Sequence, residues 1–217
     1  MYKSIAIDGP SGAGKSTISK KLAKCIGFEY LDTGAMYRAY TYYYLKNNLN
    51  IDDENIVIKY LDDIKLSIVD GNFFIGDENV DKEIRSKEVT LNVSLVSSYA
   101  SVREKLVKEQ REISKKSNIV LDGRDIGSHV LPNASIKFYL DATAEERARR
   151  RYLQLNDDSL SFEDILEDII RRDTFDSTRE ISPLVKADDA ILIDSTNLEI
   201  EEVIELMKKY LGEYDVI

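Results

Sequence analysis

Four short apolar runs punctuate the chain, at 5–7 (Ile5-Ala6-Ile7), 119–121 (Ile119-Val120-Leu121), 136–140 (Ile136 to Leu140) and 191–193 (Ile191-Leu192-Ile193). Each is too short for a helix, and the stretches between them repeat apolar residues every three or four positions. That alternation predicts buried parallel strands covered by helices on both faces, an α/β architecture. Ile18, Leu22, Ala23 and Ile26 keep helical spacing over 16–26, and Leu198, Ile200, Val203, Ile204, Leu206, Met207 and Leu211 predict a closing amphipathic helix. Two segments depart from the alternation. In 66–82, Leu66-Ser67-Ile68-Val69 and Phe73-Phe74-Ile75 flank the turn residues Asp70-Gly71-Asn72, which predicts a small antiparallel excursion. From Arg147 to Ser161, arginines lead into the polar run Gln154-Leu155-Asn156-Asp157-Asp158-Ser159, which predicts a flap. Helix starts are expected at Ser101, Thr143 and Ser161, each followed three residues on by Glu104, Glu146 and Asp164 in capping-box spacing.

The first run leads directly into Gly9-Pro10-Ser11-Gly12-Ala13-Gly14-Lys15-Ser16-Thr17, which satisfies every fixed position of the G-x-x-x-x-G-K-[ST] pattern. Strand, glycine-rich loop and helix follow in the order this phosphate cradle requires. The glycines let backbone N–H groups turn inward, and the helix start adds its positive dipole end. Lys15 supplies a point charge for the outer phosphates, and the Ser16 hydroxyl is placed to ligate the magnesium that travels with them.

Composition narrows the partners. A length of 217 residues suits one domain with a proper core, and the net charge of −10 argues against a nucleic-acid polymer. The single cysteine, Cys25, excludes internal disulfides and is expected as a small core residue. His129, the single histidine, leaves no histidine-based triad or metal cluster to propose. With no apolar run approaching a membrane span, no membrane partner is expected and the chain reads as cytoplasmic.

A phosphate cradle leaves open what receives the phosphoryl group. The chain has no switch D-x-x-G and only Val185-Lys186-Ala187-Asp188 near a guanine-reading N-K-x-D, so a switch GTPase is not expected. Three arginine groups point to a small-molecule kinase. Arg38 follows Asp32 or Thr33, either of which suits a helix cap, and is expected to face the cradle. Asp122-Gly123-Arg124-Asp125 closes the second apolar run, where ligands bind in open parallel sheets. Asp122 is placed to hold magnesium through water, and Arg124 to form bidentate contacts with a phosphate. Arg172, Asp176 and Arg179 share a helical face before Ser182-Pro183 ends that helix, a pattern that by itself also suits a salt-bridged surface. Ser94 and Arg103 would oppose each other on one unbroken helix. A helix start at Ser101 and a break over 97–100 let them turn to the same pocket. Most of Tyr37, Tyr40, Tyr42, Tyr43 and Tyr44 are expected to pack, since five in eight residues cannot share a helix face.

Together these motifs closely resemble the bacterial cytidylate kinases, nucleoside monophosphate kinases with the P-loop NTPase fold. The resemblance runs end to end through 7–16, Leu31-Asp32-Thr33-Gly34-Ala35-Met36-Tyr37-Arg38, Glu83-Ile84-Arg85, Asp122-Gly123-Arg124-Asp125 and Arg172-Asp173 with Asp176, Arg179 and Ser182-Pro183-Leu184. It implies one kinase domain with its core in 1–32, 116–146 and 166–217. A monophosphate-binding region would span 33–115, with a β insert at about 66–82, and a lid would span about 147–165. The implied reaction moves the γ-phosphoryl of ATP to CMP or dCMP with Mg2+, in a protein expected to be a monomer. Residues 9–17 would hold ATP, with Arg147, Arg150 and Arg151 as the lid, and Ser16 and Asp122 would serve the metal. Arg38 and Arg124 would grip the acceptor phosphate, with Thr33 and Asp122 on the acceptor side. Arg172 and Asp176 would sit at sugar and phosphate, and Arg179 would join Lys15, Arg124 and Arg172 in transfer. Ser94, Arg103 and Asp125 would read cytosine, whose N4 amino group suits a carboxylate and whose N3 and O2 suit an arginine. Thr33 stands where serine is common in the family, and Phe175 and Ser177 where some members carry further arginines. Kinases for UMP or AMP, and an ATP-binding regulatory protein without turnover, are the alternatives.

Overall fold

The computed structural model describes residues 2–155 and 161–217. In chain order its first elements are β1 (Ser4–Asp8), α1 (Lys15–Ile26), β2 (Glu29–Asp32), α2 (Thr33–Lys46) and α3 (Glu54–Tyr60). There follow β3 (Leu66–Val69), β4 (Asn72–Ile75), β5 (Glu78–Asn79), α4 (Lys87–Ser98) and α5 (Ala100–Ser114). The chain then runs through β6 (Ile119–Gly123), β7 (Ile136–Asp141), α6 (Ala144–Leu155), α7 (Phe162–Thr178), β8 (Ile191–Asp194) and α8 (Ile200–Glu213). It divides into two compact units, Met1–Leu31 with Ile113–Ile217 and Asp32–Glu112.

The first unit is built on a five-stranded parallel sheet in the order β2-β6-β1-β7-β8. The central strand β1 has neighbours on both sides and helices to cover it, which is why Ile5, Ala6 and Ile7 are apolar without alternation and fully buried. Its pairing with β6 sets Ile7 beside Asp122 and Asp8 beside Gly123, and its pairing with β7 sets Asp8 beside Tyr139. The carboxyl ends of β1 and β6 are therefore level. The loop after β1 and the Asp122–Asp125 segment emerge at one edge. Ile18, Leu22 and Ala23 of α1 and Val203, Ile204, Met207 and Leu211 of α8 close a core over Ile5, Ile7, Val120, Phe138, Leu140 and Ile193. Helices α6 and α7 pack on each other through Ala148, Ile165 and Ile169.

In the second unit, α2 packs against α4, β4 and a 3₁₀ turn at Glu83–Arg85. Tyr40 and Tyr44 are fully buried on α2, so the tyrosine run is largely packing, as expected. Strands β3, β4 and β5 form the antiparallel excursion, and β3 and β4 close on Asp70 and Gly71, both at positive φ, as a tight hairpin requires.

Several local expectations are corrected. Cys25 is exposed: it lies at the edge of the arc held by Ile18, Ser19, Leu22 and Ala23, about 20° beyond Ile18, and in the last turn of α1. Ser101 does not start a helix. α5 already begins at Ala100, and the break from α4 is made by Tyr99 alone, in extended conformation. Thr143 does cap α6, accepting from Glu146 N, but the Glu146 carboxylate turns to Arg149 and Arg150 instead of closing the box. Ser161 and Asp164 form the full reciprocal box. α7 ends at Thr178, ahead of Ser182-Pro183, because the chain folds back and the Leu184 N–H takes the Asp176 carbonyl at 2.8 Å. Arg179 thus lies one residue past the helix. The edge strand β2, with Glu29 exposed and Tyr30 half-buried, carries no apolar run and was not foreseen. Of the expected lid, 156–160 lie outside the described residues.

Leu22 is fully enclosed between helix and sheet, so Leu22→Ala is expected to cost about 2–5 kcal/mol. A urea midpoint that falls correspondingly, with unchanged slope, checks this.

Candidate active site

The glycine-rich loop is held by backbone geometry that side chains would disturb. Gly9 has φ 151°, and a Cβ there would stand 2.0 Å from the Leu140 carbonyl oxygen, so the chain leaves β1 flush against β7. Gly14, at φ 83°, opens α1 in the left-handed region and offers no side-chain cap, and no acidic residue occupies the first turn. The leading N–H groups of α1 lie behind this loop, the arrangement that binds phosphate.

Lys15, the first residue of α1, is buried and donates to the Pro10 carbonyl at 2.6 Å. Burial, then the Arg124 guanidinium, lower its pKa to about 7 against the pull of Asp122 and Asp8. Next to it, Ser16 Oγ donates to Asp122 Oδ2 at 2.9 Å, and Tyr30 donates its hydroxyl to Asp122 Oδ1 at 2.8 Å. A hydroxyl and a buried carboxylate side by side are hard oxygen donors of the kind magnesium takes. Among the described residues no group of three or more His, Cys, Asp or Glu side chains is placed to hold a metal. This pair therefore fits an ion that also relies on nucleotide phosphates and water.

Just past the level neighbour β6, Arg124 Nε donates to Asp176 Oδ2 at 2.9 Å. Burial pulls the Arg124 pKa down, but Asp176 outweighs it and the guanidinium stays charged. Arg172 is held below its ordinary range by burial and then by Arg124, and its Nε is buried with no hydrogen-bond partner among the described residues. Arg179 lies 3.6 Å from Asp125 and 4.0 Å from Asp176, and its Nε donates to the Ser182 carbonyl at 2.7 Å. The first unit thus brings together Lys15, Ser16, Asp122, Arg124, Asp125, Arg172, Asp176 and Arg179. In α6, Arg147 is buried against the loop and donates to the Ser11 carbonyl at 2.7 Å. Arg150 turns to the Ser195 carbonyl at 2.6 Å, and half-buried Arg151 adds its charge to the field at Arg172.

The second unit carries the rest. Asp32 caps α2 by accepting from Ala35 N at 2.8 Å, which leaves Thr33 as the first helical residue. One turn on, Arg38 Nη1 donates to Thr90 Oγ1 at 2.9 Å. The Tyr99 break lets Arg103 turn back onto the end of α4: Nη1 donates to the Ser97 carbonyl at 3.1 Å, and the guanidinium lies 5.5 Å from the Tyr37 ring centre. Ser97 in turn donates its hydroxyl to the Ser94 carbonyl, so Arg103 is linked through Ser97 to the backbone of Ser94.

Asp8 is a site residue missed in the sequence. Its carboxylate accepts from Ile126 N at 2.8 Å and Gly127 N at 2.7 Å, which fastens the π-helical turn Ile126–Val130 behind Arg124 and Asp125. Burial raises its pKa to about 6 against these two hydrogen bonds. The available signal was an acidic residue closing a wholly apolar strand, a charge that must find partners when buried.

A lysine with a pKa near 7 is largely neutral at pH 8, and a bound polyphosphate restores its charge. ATP binding at pH 8 is expected to take up roughly one proton, and less at pH 6, where Lys15 is already charged. Calorimetry in two buffers of different ionisation enthalpy measures this uptake.

Known proteins resemble the chain in sequence and in fold. A sequence model described as cytidylate kinase matches residues 5–213. A cytidylate kinase of Fusobacterium nucleatum is 49% identical over 207 residues, covering 94% of this chain and 95% of the relative. One of Halalkalibacterium halodurans is 48% identical over 215 residues, covering 96% and 97%. Among solved structures, a gluconokinase from Sinorhizobium meliloti is similar in fold at TM-score 0.52 and 12% identity, over 97% of this chain and 92% of that one. A shikimate kinase from Acinetobacter baumannii is similar at 0.50 and 17%, over 98% and 94%. With a level strand edge, an intact phosphate cradle and a matching sequence over nearly its whole length, the chain belongs to the cytidylate kinase family.

Proposed function

We propose that the protein transfers the γ-phosphoryl group of ATP to CMP or dCMP, giving ADP and CDP or dCDP, as a monomer in the cytoplasm that serves pyrimidine nucleotide supply. The observation that carries this is the crowding of Lys15, Arg124 and Arg172. Arg124 weakens the protonation of both Lys15 and Arg172 while Asp176 keeps Arg124 itself charged, and a transferring phosphoryl group at this edge of the sheet relieves the repulsion. Residues 9–17 take the donor phosphates, with Arg147, Arg150 and Arg151 assigned to the donor side. Ser16 and Asp122 are assigned to Mg2+, which when bound with the nucleotide neutralises charge on the phosphates.

Transfer needs little from the protein beyond position and charge. Lys15, Arg124, Arg172 and Arg179 stabilise negative charge as it spreads over the transferring group, and no covalent enzyme intermediate is required. Asp122 is engaged by two hydroxyl groups and is not called on as a strong base. Arg38, in the second unit, is assigned to the acceptor phosphate, Thr33 to the acceptor and Asp176 to the sugar. Ser94 and Arg103 there, and Asp125 in the first unit, are assigned to cytosine. Uracil inverts the donor and acceptor pattern at positions 3 and 4 and leaves polar groups unpaired, at a cost on the order of hundreds-fold in use.

A coupled assay with ATP, magnesium and each of CMP, dCMP, UMP, AMP and GMP tests the activity. Turnover is expected largely with the two cytidine nucleotides, and equal use of UMP would remove the cytosine assignment. Lys15→Met is expected to lower kcat on the order of 10²–10³-fold while CMP binding persists. Arg103→Ala is expected to narrow the CMP:UMP ratio more than it lowers kcat.

A further inference from the structure

The peptide at the tip of the phosphate loop is held from both sides. Ser11 N–H donates to Asp173 Oδ1 at 2.9 Å, and the Ser11 carbonyl accepts from Arg147 Nη1 at 2.7 Å. Arg147 Nη1 also meets Asp173 Oδ2 at 2.5 Å, which closes the ring, and Arg147 Nε donates to the Ala142 carbonyl at 2.8 Å, at the exit of β7. Arg147 is 7% and Asp173 20% exposed as side chains, so the pair works largely out of water, where charge-assisted bonds are strong and directional. The two residues come from different helices. Arg147 sits on α6 and Asp173 on α7, and the Ala148, Ile165 and Ile169 cluster fixes one helix against the other. A Cβ on Gly12 would stand 3.3 Å from the Arg147 Cβ, so α6 is in contact with the loop itself.

We infer that Asp173 is a positioning residue for the donor nucleotide: through the Ser11 N–H, and through Arg147 to the Ser11 carbonyl, it sets the orientation of the loop whose following N–H groups receive the phosphates. Arg172, its neighbour, projects into the cation cluster, while Asp173 serves the loop and needs no contact with nucleotide. A glycine-rich loop has many conformations to lose when it binds, and a loop already oriented loses fewer. Asp173 therefore acts on donor affinity in preference to acceptor affinity. Its negative charge also adds to the field that holds the Lys15 proton.

This inference rests on the kinase activity proposed above, and its test separates the two. Dissociation constants for ATP without acceptor, and for CMP without donor, are measured by calorimetry for the wild type, Asp173→Ala and Asp173→Asn, with melting temperatures and KM values for both substrates. Asp173→Ala removes both bonds and is expected to weaken ATP binding and raise its KM about tenfold, with CMP constants within twofold of wild type. Asp173→Asn retains an acceptor for the Ser11 N–H and loses the charge facing Arg147, so it is expected to fall between the two. It also serves if the alanine variant does not fold. ATP constants within twofold of wild type in a folded variant would overturn the inference. So would an equal loss for both ligands alongside a lowered melting temperature, the mark of a merely structural role. Failure of the wild type to phosphorylate CMP would instead remove the acceptor assignment, leaving the ATP comparison intact.

Discussion

Mutual repulsion among buried cations is the constraint from which the first unit takes its arrangement. Lys15, Arg124 and Arg172 would each be costly to bury alone, and bringing them together adds to the cost. The protein offsets this with carboxylates placed to hold the cations without covering them all. Asp176 takes one edge of Arg124, Asp122 is bound by hydroxyl groups of Ser16 and Tyr30, and Asp125 and Asp176 flank Arg179. The balance is incomplete at the Arg172 Nε, a buried donor without an acceptor among the described residues.

That edge exists because the central strands end level. Asp8 and Gly123 are register partners, so the phosphate loop and the Arg124 segment start from the same height. Asp8 then ties the two together by accepting from Ile126 and Gly127. On the far side of the loop, Arg147 and Asp173 grip Ser11. The loop is thus anchored at its entrance by a tight passage against Leu140 and at its tip by two helices. Its capacity to bind follows from packing well beyond the nine residues of the motif.

How much of this was legible depended on whether a residue's neighbours in space were also its neighbours in sequence. The phosphate loop was legible because strand, glycines, lysine and helix lie within some twenty consecutive residues, each demanded by local geometry. The hairpin at β3 and β4 was legible for the same reason: two β-prone runs and a turn suffice. Strand β2 was not, because an edge strand with an exposed Glu29 needs no apolar run. Arg147 illustrates the other limit. Its place in an arginine cluster suggested a lid, and only the packing of α6 on α7 turns it inward to the Ser11 carbonyl and to a carboxylate 26 residues away. Ser101 shows that capping spacing is not sufficient, since Tyr99 ended the preceding helix and α5 had already begun. The candidate acceptor residues Arg38, Ser94 and Arg103 were legible as types, but their partners Thr90 and Ser97 were not.

Helix α1 begins at a glycine, with no side-chain cap and no acidic residue in its first turn. Most helices complete their own beginnings with a side-chain oxygen, and a glycine in that place gives up roughly a few tenths of a kcal/mol of stability. In the proposed function the missing cap is a phosphate of the nucleotide, an anion that arrives from solution. The nucleotide is in this sense a part of the fold supplied late, and the stability of the protein becomes a reporter of its metabolic surroundings. When triphosphate is plentiful the native state is reinforced by mass action, and when it is scarce the same chain lies closer to unfolding and to turnover by proteases.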